Sequence, residues 1–588
     1  MRHDGRDAEE DAAHDRQHRH DVAVKSVQLL FPAHDVEEHR NIECVERDDR
    51  QLGRVEAKRA EPALGEVGAV EICQPDGAHE HAHDGGVCRH VRVLVDAEER
   101  LRLRAVAARG DGVEAARRGE HEPVERAEAQ HDDQHEQTHA GGPALPATPA
   151  WILPKEYAGF SPAEKLGQLR AKLAELGCTA QLVGKLDNLA WLLNLRAMDI
   201  ECTPYAMAYC YVTPDRAVLF IHTARVTPEA KAELEANGVT LAEYDRVLDF
   251  MAAETEPQTV LAESATVNYA VYQVLENNAA LTVKDLADPL LPMKGVKNEV
   301  ELTHDKEAHL RDAVAMVRFQ IELEKRLEAG EELTELTVDQ ILHKYRSATD
   351  KFIVESFGTI AAYGGNAAMM HYHATPEDHA KLQRKGFLLV DSGATYMDGT
   401  TDITRTYPLG ELTEDERKFY TWTLQCHIDI AKAVWLDYCD CHMIDTIARE
   451  PLWQHLINYR CGTGHSVSFV GNVHEGPHAL NGRNTTLMRP GMIVTDEPGV
   501  YETDLVGIRI ENELVCVHKA DNQYGTFLGF EPIMFVPIAT SPIVPGVLTK
   551  DELDWLNNYH RQVFEKLAPR LNDEEREWLA KKCAAIGC

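Results

Sequence analysis

A change in composition near residue 150 constrains the folding of this chain more than any other feature. Residues 1–150 contain 14 of the 29 histidines, 18 arginines, two lysines and a single aromatic residue, Phe31. A segment so poor in aromatic side chains buries too little apolar surface to offset the entropy that it loses on ordering. We therefore predict that residues 1–150 form a low-complexity segment, either disordered or translated from a wrong frame, and that their histidines build no metal site.

Bulk composition argues against several classes of function. The 588 residues carry a formal net charge of −36, which argues against nucleic acid and membrane partners because anionic surfaces are bound by basic patches. No apolar run reaches the roughly 18 residues that a membrane span needs, and the charged N-terminus is unlike a secretory signal. The thirteen cysteines lack disulfide or zinc spacing, so we expect reduced thiols and a cytoplasmic location.

The sequence after residue 150 is typical of a globular α/β protein. Ser161 and the proline after it predict a helix start, and Gly177 predicts its end. Residues 206–212 and 217–221 predict two strands around a Pro-Asp-Arg turn. We therefore predict an α/β domain over residues 151–296, in which no strong catalytic cluster stands out.

Later helices are marked by their ends. An amphipathic helix is predicted over residues 304–329, stopped by Gly330. Two capping boxes, formed by Thr413 with the glutamate three residues on and by Thr549 in the same way, predict a helix running towards Trp435 and a C-terminal helix.

Two aspartates lie in apolar strands that are predicted to form a hairpin. Residues 387–396 are predicted to form a buried strand, the Asp-Gly pair at 398–399 a turn, and residues 401–407 the return strand. Asp391 and Asp402 then converge from adjacent strands. An aspartate in an apolar strand is costly unless it is paired or bound to metal. The alternative, a surface hairpin with solvated acids, stays open at this point.

Three further positions complete a set of metal-binding side chains. His465 follows a glycine-rich stretch, and Glu497 follows an apolar approach. The stretch after Gly507 alternates, which places Arg509 and Glu511 on one face of a strand together with Glu513. Each feature has a plainer alternative: a packed histidine that binds nothing, and an amphipathic edge strand.

Taken together, four carboxylates and one imidazole predict a dinuclear metal site. Oxygen-rich donors with a single nitrogen suit Mn²⁺, Mg²⁺ or Co²⁺ better than a structural zinc. Four carboxylates near one point repel each other unless cations lie between them. Two ions about 3.5–4 Å apart that share a hydroxide remove this repulsion and generate a nucleophile.

The order and local contexts of Asp391, Asp402, His465, Glu497 and Glu511 resemble the pita-bread metallopeptidases, which include methionine aminopeptidase, prolidase and Xaa-Pro aminopeptidase. Longer phrases resemble the cytosolic Xaa-Pro aminopeptidase branch; they are residues 391–406, 472–477, 495–499 and 554–560. The resemblance covers about residues 151–588. It implies an α/β (α+β) fold with a creatinase-like non-catalytic domain at 151–296, a pita-bread catalytic domain at 297–545 and a C-terminal helical extension at 546–588.

The resemblance also implies metal-binding roles. The residue that matches Asp391 chelates one ion, and those that match Asp402 and Glu511 bridge both ions. The residues that match His465 and Glu497 hold the other ion, and Glu497 also carries a proton.

The resemblance implies further roles around these ligands. His371 and His474 match pocket histidines that contact substrate and steady its carbonyl during attack. Arg509 is expected to pair with the inward acids and orient them, and the alternative for it is a surface salt bridge.

The chain departs from the family pattern at three places. Cys461 stands where relatives often carry a histidine that lines the substrate pocket. Ser466 and Ser468 replace glycines, which requires ordinary backbone torsions there. The first of the three domains usual in this branch is missing from the place of residues 1–150.

The function implied is hydrolysis of the N-terminal Xaa-Pro bond of peptides by a metal-bridging hydroxide. We expect two divalent ions, with Mn²⁺ preferred, and a homodimer. Two alternatives remain at this point: a prolidase that takes only Xaa-Pro dipeptides, and a non-catalytic binding protein on the same fold.

Overall fold

The computed structural model describes four short strands between residues 42 and 95 and the continuous stretch 146–587. The four strands are β1 (Ile42–Glu46), β2 (Arg54–Arg59), β3 (Gly68–Gln74) and β4 (Arg89–Val95). They pair in the order β1-β2-β4-β3 within a unit of their own. Apart from these strands and residues 146–150, the prediction made for residues 1–150 falls outside the described residues.

The first domain of the second unit is built around one mixed sheet. The strands of this domain are β5 (Trp151–Ile152), β6 (Ala180–Val183), β7 (Leu195–Arg196), β8 (Tyr209–Val212), β9 (Ala217–Phe220), β10 (Val239–Ala242), β11 (Gln258–Leu261) and β12 (Leu281–Lys284). Its helices are α1 (Lys155–Ala158), α2 (Pro162–Glu175), α3 (Leu186–Leu193), α4 (Pro228–Ala236), α5 (Val247–Ala252), α6 (Tyr269–Asn277) and α7 (Leu290–Gly295). Six strands pair in the order β10-β9-β8-β6-β11-β12, and only the pairs made by β8 are antiparallel.

The predicted elements of this domain are present, with shorter strands. Helix α2 begins at the predicted place because Ser161 and Glu164 form a capping box. The two predicted strands are confirmed at 209–212 and 217–220. Two separate apolar cores form in this domain, which agrees with an α/β domain. Residues 146–150 already belong to it, since Ala150 is fully buried and pairs with Val226.

The second domain contains small sheets wrapped by long helices. Its strands are β13 (Phe352–Glu355), β14 (Ile360–Tyr363), β15 (Phe387–Ser392), β16 (Ala394–Tyr396), β17 (Gly399–Thr400), β18 (Ile403–Pro408), β19 (Val434–Leu436), β20 (Gly464–Ser466), β21 (Glu475–Leu480), β22 (Ile493–Asp496), β23 (Gly499–Glu502), β24 (Val506–Arg509), β25 (Asn512–Asn522) and β26 (Gly525–Pro532). Its helices are α8 (Glu299–Glu328), α9 (Glu335–Ser347), α10 (Glu414–Ala431), α11 (Cys441–Trp453), α12 (Lys550–Leu567) and α13 (Asp573–Lys582). The largest sheet runs β19-β26-β25-β22-β20-β21, and β14-β15-β18 form a second sheet.

Helix ends follow their capping residues. The long helix α8 begins at Glu299 rather than at residue 304, because the side chain of Asn298 accepts hydrogen bonds from two amides of the first turn. The capping boxes at Thr413 and Thr549 are confirmed, although α10 ends before Trp435. Helices α12 and α13 share one apolar core with α8 and β15. In the part of the chain that the structure describes, not one helix combines the length and hydrophobicity required for a membrane crossing.

The predicted strand over residues 387–396 is wrong in one respect, because it breaks at Gly393. The residues before the break form β15 and pair with β14 and β18, whereas those after it form β16 in another sheet. The backbone of Thr401 crosses so closely that a Cβ on Gly393 would lie 1.7 Å from its carbonyl oxygen. The break therefore bends the chain between Asp391 and the return strand.

We expect the substitution Gly393→Ala to lower the free energy of unfolding by about 1–3 kcal/mol, because the added methyl must displace backbone. Gly167→Ala is the matched control, since Gly167 lies in α2 with no atom near its missing Cβ. That change should raise stability by about 0.5–1 kcal/mol. Urea unfolding of both variants measures the difference, and equal effects would contradict the close approach.

Candidate metal centre

Strand pairing brings together five side chains that are scattered over some 120 residues of sequence. Asp391 lies in β15, where its partner across the sheet is Thr404 of β18. The amide of Glu511 donates to the carbonyl of that same threonine at 3.1 Å. Strands β20 and β22 of the large sheet pair antiparallel. His465 lies in β20 and Glu497 directly follows the last residue of β22, so this pairing brings both to the site.

Three of the five predicted ligand residues face a common point, and a fourth, Glu497, lies close to one of them. Asp402, His465 and Glu511 each offer a ligand atom, and these atoms all lie within 4.8 Å of one another. The Nε2 atom of His465 is 3.6 Å from Oδ2 of Asp402 and 3.5 Å from Oε1 of Glu497. Asp391 joins the group through Arg509, whose guanidinium lies between it and Glu497.

Arg509 is buried, with 3% of its surface exposed, so the alternative of a surface salt bridge is wrong. Its Nη2 lies 2.5 Å from Oδ2 of Asp391, and its Nε lies 3.9 Å from Oε2 of Glu497. The same Nε donates to Oγ1 of Thr404 at 3.0 Å, and Nη1 donates to the hydroxyl oxygen of Tyr501 at 2.8 Å. The guanidinium is therefore held on four sides and fixes the two acids beside it.

One ring nitrogen of His465 is free to act as a ligand. The Nδ1–H group donates to the carbonyl of Val473 at 3.1 Å. Burial lowers the pKa of His465, so the ring is neutral and Nε2 carries a lone pair. Since Nε2 is the atom that faces Asp402 and Glu497, the ring has the tautomer and direction that a metal ligand needs.

The acids oppose one another's ionisation. Burial, followed by the charges of Asp391 and Glu497, raises the pKa of Asp402 well above its usual range. Burial, followed by Asp402 and Asp391, does the same to Glu511. Burial also raises the pKa of Glu497 to about 7, although Arg509 opposes the shift. Cations among these oxygens would oppose all three shifts, because a neighbouring positive charge favours the ionised carboxylate.

The residues present fit a pair of divalent ions. The Oδ1 atom of Asp391 is buried and has no hydrogen-bond partner among the described residues, so one of its lone pairs is left for a ligand. Four carboxylates and one imidazole form a donor set of hard oxygen with one borderline nitrogen. Such a set favours ions of the Mn²⁺, Mg²⁺ and Co²⁺ type.

Sequence reasoning missed the groups that orient the ligands. Thr404 donates its hydroxyl to Glu511 at 2.7 Å, and Oε1 of Glu513 accepts the amide of Asp402 at 2.7 Å. His309 of α8 lies 2.9 Å from the same glutamate. Burial opposes a charge on His309, but Glu513 and Asp305 together outweigh it and raise the pKa to about 10. Thr404 and Glu513 each lie two positions after a predicted ligand, and this spacing is a usable sequence signal. His309 has no such signal in the sequence.

The predicted pocket residues lie around the five ligands. The ring of His474 is 4.2 Å from that of His465, measured between centroids. Burial, followed by His465 and with a smaller effect from His371, lowers the pKa of His474 to about 4. The side chain of His371 is exposed. Cys461 is half-buried, and burial followed by Glu497 raises its pKa to about 11, so it is a neutral thiol at neutral pH.

The two serines that replace glycines adopt ordinary backbone torsions, since neither has a positive φ. The hydroxyl of Ser468 donates to Oε2 of Glu475 at 2.6 Å, and that of Ser466 lies 3.5 Å from the other oxygen. The loop after His465 therefore accommodates side chains at both positions, and both hydroxyls contact the carboxylate of Glu475.

Known protein families match most of the chain after residue 140. The sequence profile described as "Metallopeptidase family M24" matches residues 305–518, that of the "Creatinase/Prolidase N-terminal domain" matches 141–301, and that of the "C-terminal region of peptidase_M24" matches 526–586. A probable Xaa-Pro aminopeptidase P of Coprinopsis cinerea is 36% identical over 465 residues, which is 76% of this chain and 74% of the relative. Aminopeptidase P2 of Arabidopsis thaliana is 37% identical over 473 residues, or 74% and 66% of the two chains.

A solved structure also resembles this chain. The X-prolyl aminopeptidase of Caenorhabditis elegans, described as a cytosolic enzyme with a di-nuclear active site, has a TM-score of 0.72 and 32% sequence identity. The similarity covers 77% of this chain and 75% of that one.

We expect Asp402→Asn to abolish the rise in thermal midpoint that divalent ions produce, and to raise the midpoint in the presence of a chelator. The substitution removes one of several mutually repelling buried acids, so the metal-free protein gains stability while metal binding is lost. Melting curves with a chelator and with added Mn²⁺ measure both effects.

Asp398→Asn is the matched control. Asp398 is as buried as Asp402, but it is paired with Arg311 and Lys351. Breaking such a pair costs about 3–5 kcal/mol, so the midpoint should fall in both conditions while the rise on adding metal persists. The same response from both variants would contradict a metal site at Asp402.

Proposed function

The chain belongs to metallopeptidase family M24, within its Xaa-Pro aminopeptidase P group, and from that premise we propose that it removes the N-terminal residue from peptides whose second residue is proline. The observation that carries the proposal is the convergence of Asp402, His465 and Glu511 within 4.8 Å, beside two further acids. The relatives that share this chain's sequence are named for the same reaction.

We assign the five ligands to two ions. Asp391 would hold one ion, Asp402 and Glu511 would serve both, and His465 with Glu497 would hold the second. Support comes from the unpartnered Oδ1 of Asp391 and from the short separations within the other set. Bound divalent ions supply Lewis acidity and a water of lowered pKa.

Glu497 is the acid that we assign to proton transfer. Its side chain is 21% exposed, against 11% for Asp391 and 6% for Asp402. It is therefore the one of these three that most readily reaches both the site and an incoming peptide. Arg509 near one of its oxygens and Thr495 on the other keep the carboxylate in place.

Two histidines are assigned to the substrate. His474 packs beside the ring of His465 and is neutral, so it offers a hydrogen-bond donor without a charge. A donor aimed at the oxygen of the attacked carbonyl stabilises the charge that develops there. We assign His371 and Cys461 to the same pocket, with the cysteine filling the place of a histidine.

Proline at the second position sets the substrate class. The Xaa-Pro bond is a tertiary amide without an N–H group, and the ring fixes φ. A peptidase that binds its substrate as a strand loses a hydrogen bond there, whereas a pocket shaped for the ring does not. Among the alternatives, a non-catalytic protein is disfavoured because all five ligand residues are retained.

We further propose Mn²⁺ as the working ion, a homodimer as the assembly and the cytoplasm as the location. The oxygen-rich donor set supports the first. The dimer rests on family resemblance alone. The location is supported by the C. elegans relative, which is described as cytosolic, and by the nine unpaired cysteines of the described part of this chain. We also propose a division into domains at 146–296, 297–545 and 546–588, the first beginning before residue 151 because Ala150 is buried in it.

With added Mn²⁺, the protein should release the first residue from an Xaa-Pro-Pro tripeptide and lose this activity on chelation. Glu497→Gln should lower kcat by at least about 100-fold, because a general acid–base group typically contributes that much. Chromatography of the released amino acid measures the rate.

Two comparisons sharpen this experiment. Glu531→Gln, an exposed glutamate of β26, should leave kcat unchanged. Cleavage of an Xaa-Pro dipeptide at a rate above that of the tripeptide would favour a prolidase instead. A folded, metal-loaded protein that leaves both peptides intact would refute the proposal.

A further inference from the structure

The loop Ser468–Glu475, here called the histidine loop, sets the positions of two site imidazoles. Its Val473 carbonyl accepts the Nδ1–H of His465 and so fixes the ring and its tautomer. Within the same loop, the amide of His474 donates to Oδ1 of Asn472 at 2.7 Å. A shift of this loop therefore moves a metal ligand and a substrate group together.

Arg196, in β7 of the first domain, holds the middle of the histidine loop. Its Nε donates to the carbonyl of Val470 at 2.7 Å, and its Nη2 donates to that of Phe469 at 3.3 Å. Val470 has a φ of +50°, a conformation that a β-branched side chain rarely adopts. Such a residue persists only where its surroundings hold it, and the buried guanidinium is one of the groups that do so.

Arg196 is also anchored in its own domain. Its Nη1 donates to the carbonyls of Ala190 at 2.6 Å and Leu195 at 3.1 Å. One guanidinium therefore bridges four carbonyls, two in each domain, and its position is fixed from both sides.

Tyr205, also in the first domain, contacts the histidine loop at its first residue and again at Asn472. Its hydroxyl accepts the amide of Asn472 at 3.0 Å and shares a hydrogen bond with Oγ of Ser468 at 3.1 Å. The contact is close, since a Cβ on Gly471 would lie 2.4 Å from the hydroxyl oxygen. Glycine at this position is what lets the ring reach the backbone.

Lys294 of α7 fixes the last residue of the loop. Its Nζ lies 2.7 Å from Oε2 of Glu475 and 3.0 Å from Oδ2 of Asp187. Lys297 pairs with the other oxygen of Glu475. Burial opposes ionisation of this glutamate, but the two lysines outweigh it and hold the pKa of Glu475 at about 2.

The space among these groups is too small for a ligand. A cavity of about 10 Å³ lies between Asp187, Arg196, Tyr205, Lys294 and Glu475, and a single water molecule needs that much. The cluster is therefore a closed joint between two domains.

We propose that Arg196, Tyr205 and Lys294 form a clamp through which the non-catalytic domain positions the histidine loop. The three are positioning residues: they act on the metal centre through the Val473 carbonyl and on substrate through His474. The proposal rests on the proposed function for its effect on turnover, but not for its effect on metal binding.

The test compares two single-atom deletions in the same domain. Tyr205→Phe removes the clamp hydroxyl. Tyr211→Phe removes a hydroxyl that is also buried but packs among residues of the first domain, away from the histidine loop. Mn²⁺ affinity, measured by titration calorimetry, should fall about 10-fold in the first variant, in line with other groups that orient a metal ligand. It should stay within twofold of the parent in the second.

Peptide kinetics supply a second readout. Tyr205→Phe should lower kcat on Xaa-Pro-Pro by about 10-fold while KM changes less than twofold, because His474 is displaced from the reacting carbonyl rather than removed from the pocket. Equal Mn²⁺ affinity and equal kcat in the two tyrosine variants would overturn the proposal, even if Tyr205→Phe lowers the thermal midpoint.

A second pair of variants guards against a variant that fails to fold. Arg196→Lys retains the charge but loses the reach to both loop carbonyls. Arg225→Lys changes an arginine that is also buried in the first domain and contacts Asp199 and Pro146 away from the loop. Only the first should weaken Mn²⁺ binding. If the parent protein cleaves no peptide, the proposed function fails, while the affinities of these variants still decide the clamp.

Discussion

Four carboxylates gathered in one region of the core, three of them buried, are the constraint on which the rest of this structure depends. Burial and mutual repulsion raise the pKa of Asp402 well above its usual range. The protein places positive groups behind the acids: Arg509 contacts Asp391, and His309 contacts Glu513, which accepts the amide of Asp402. These contacts hold the oxygens in position but do not neutralise them all. Metal-binding chemistry is the consistent explanation for so many acids in one core.

Much of this centre could be predicted from sequence because acids in apolar strands are costly without a partner. The sequence predicts Asp391 and Asp402 on paired strands. In the structure those strands pair, and the residue after Asp391, Ser392, lies opposite the residue after Asp402, Ile403. Alternation after Gly507 predicts one strand with Arg509 and Glu511 on the same face. That single strand is wrong, because β24 ends at Arg509 and β25 begins at Asn512 in a different sheet, although both side chains are buried. Local pattern therefore identifies the buried residues but not the strand ends that place them.

Other features depend on contacts between distant parts of the chain. The bend at Gly393 exists because Thr401 crosses it, and no local pattern in an apolar strand marks that crossing. His309 reads as one more polar position on a long helix, although it lies opposite Glu513. Helix α8 begins five residues before its predicted start, and the capping residue Asn298 is the local signal for that start. The amphipathic pattern alone gives a start further inside the helix.

The dependence of the site on a second domain is the least visible feature in the sequence. Arg196 sits in an apolar stretch, where a lone arginine gives no hint that its donors reach carbonyls more than 270 residues away. The reason for serines at 466 and 468 is visible only in the structure, where both lie beside Glu475. The carboxylate of Glu475 pairs with two lysines and accepts a hydrogen bond from a serine hydroxyl. A glycine there would leave that oxygen with one partner fewer in a closed, buried joint. His465 therefore owes its position partly to residues of the other domain, through a loop that contacts both.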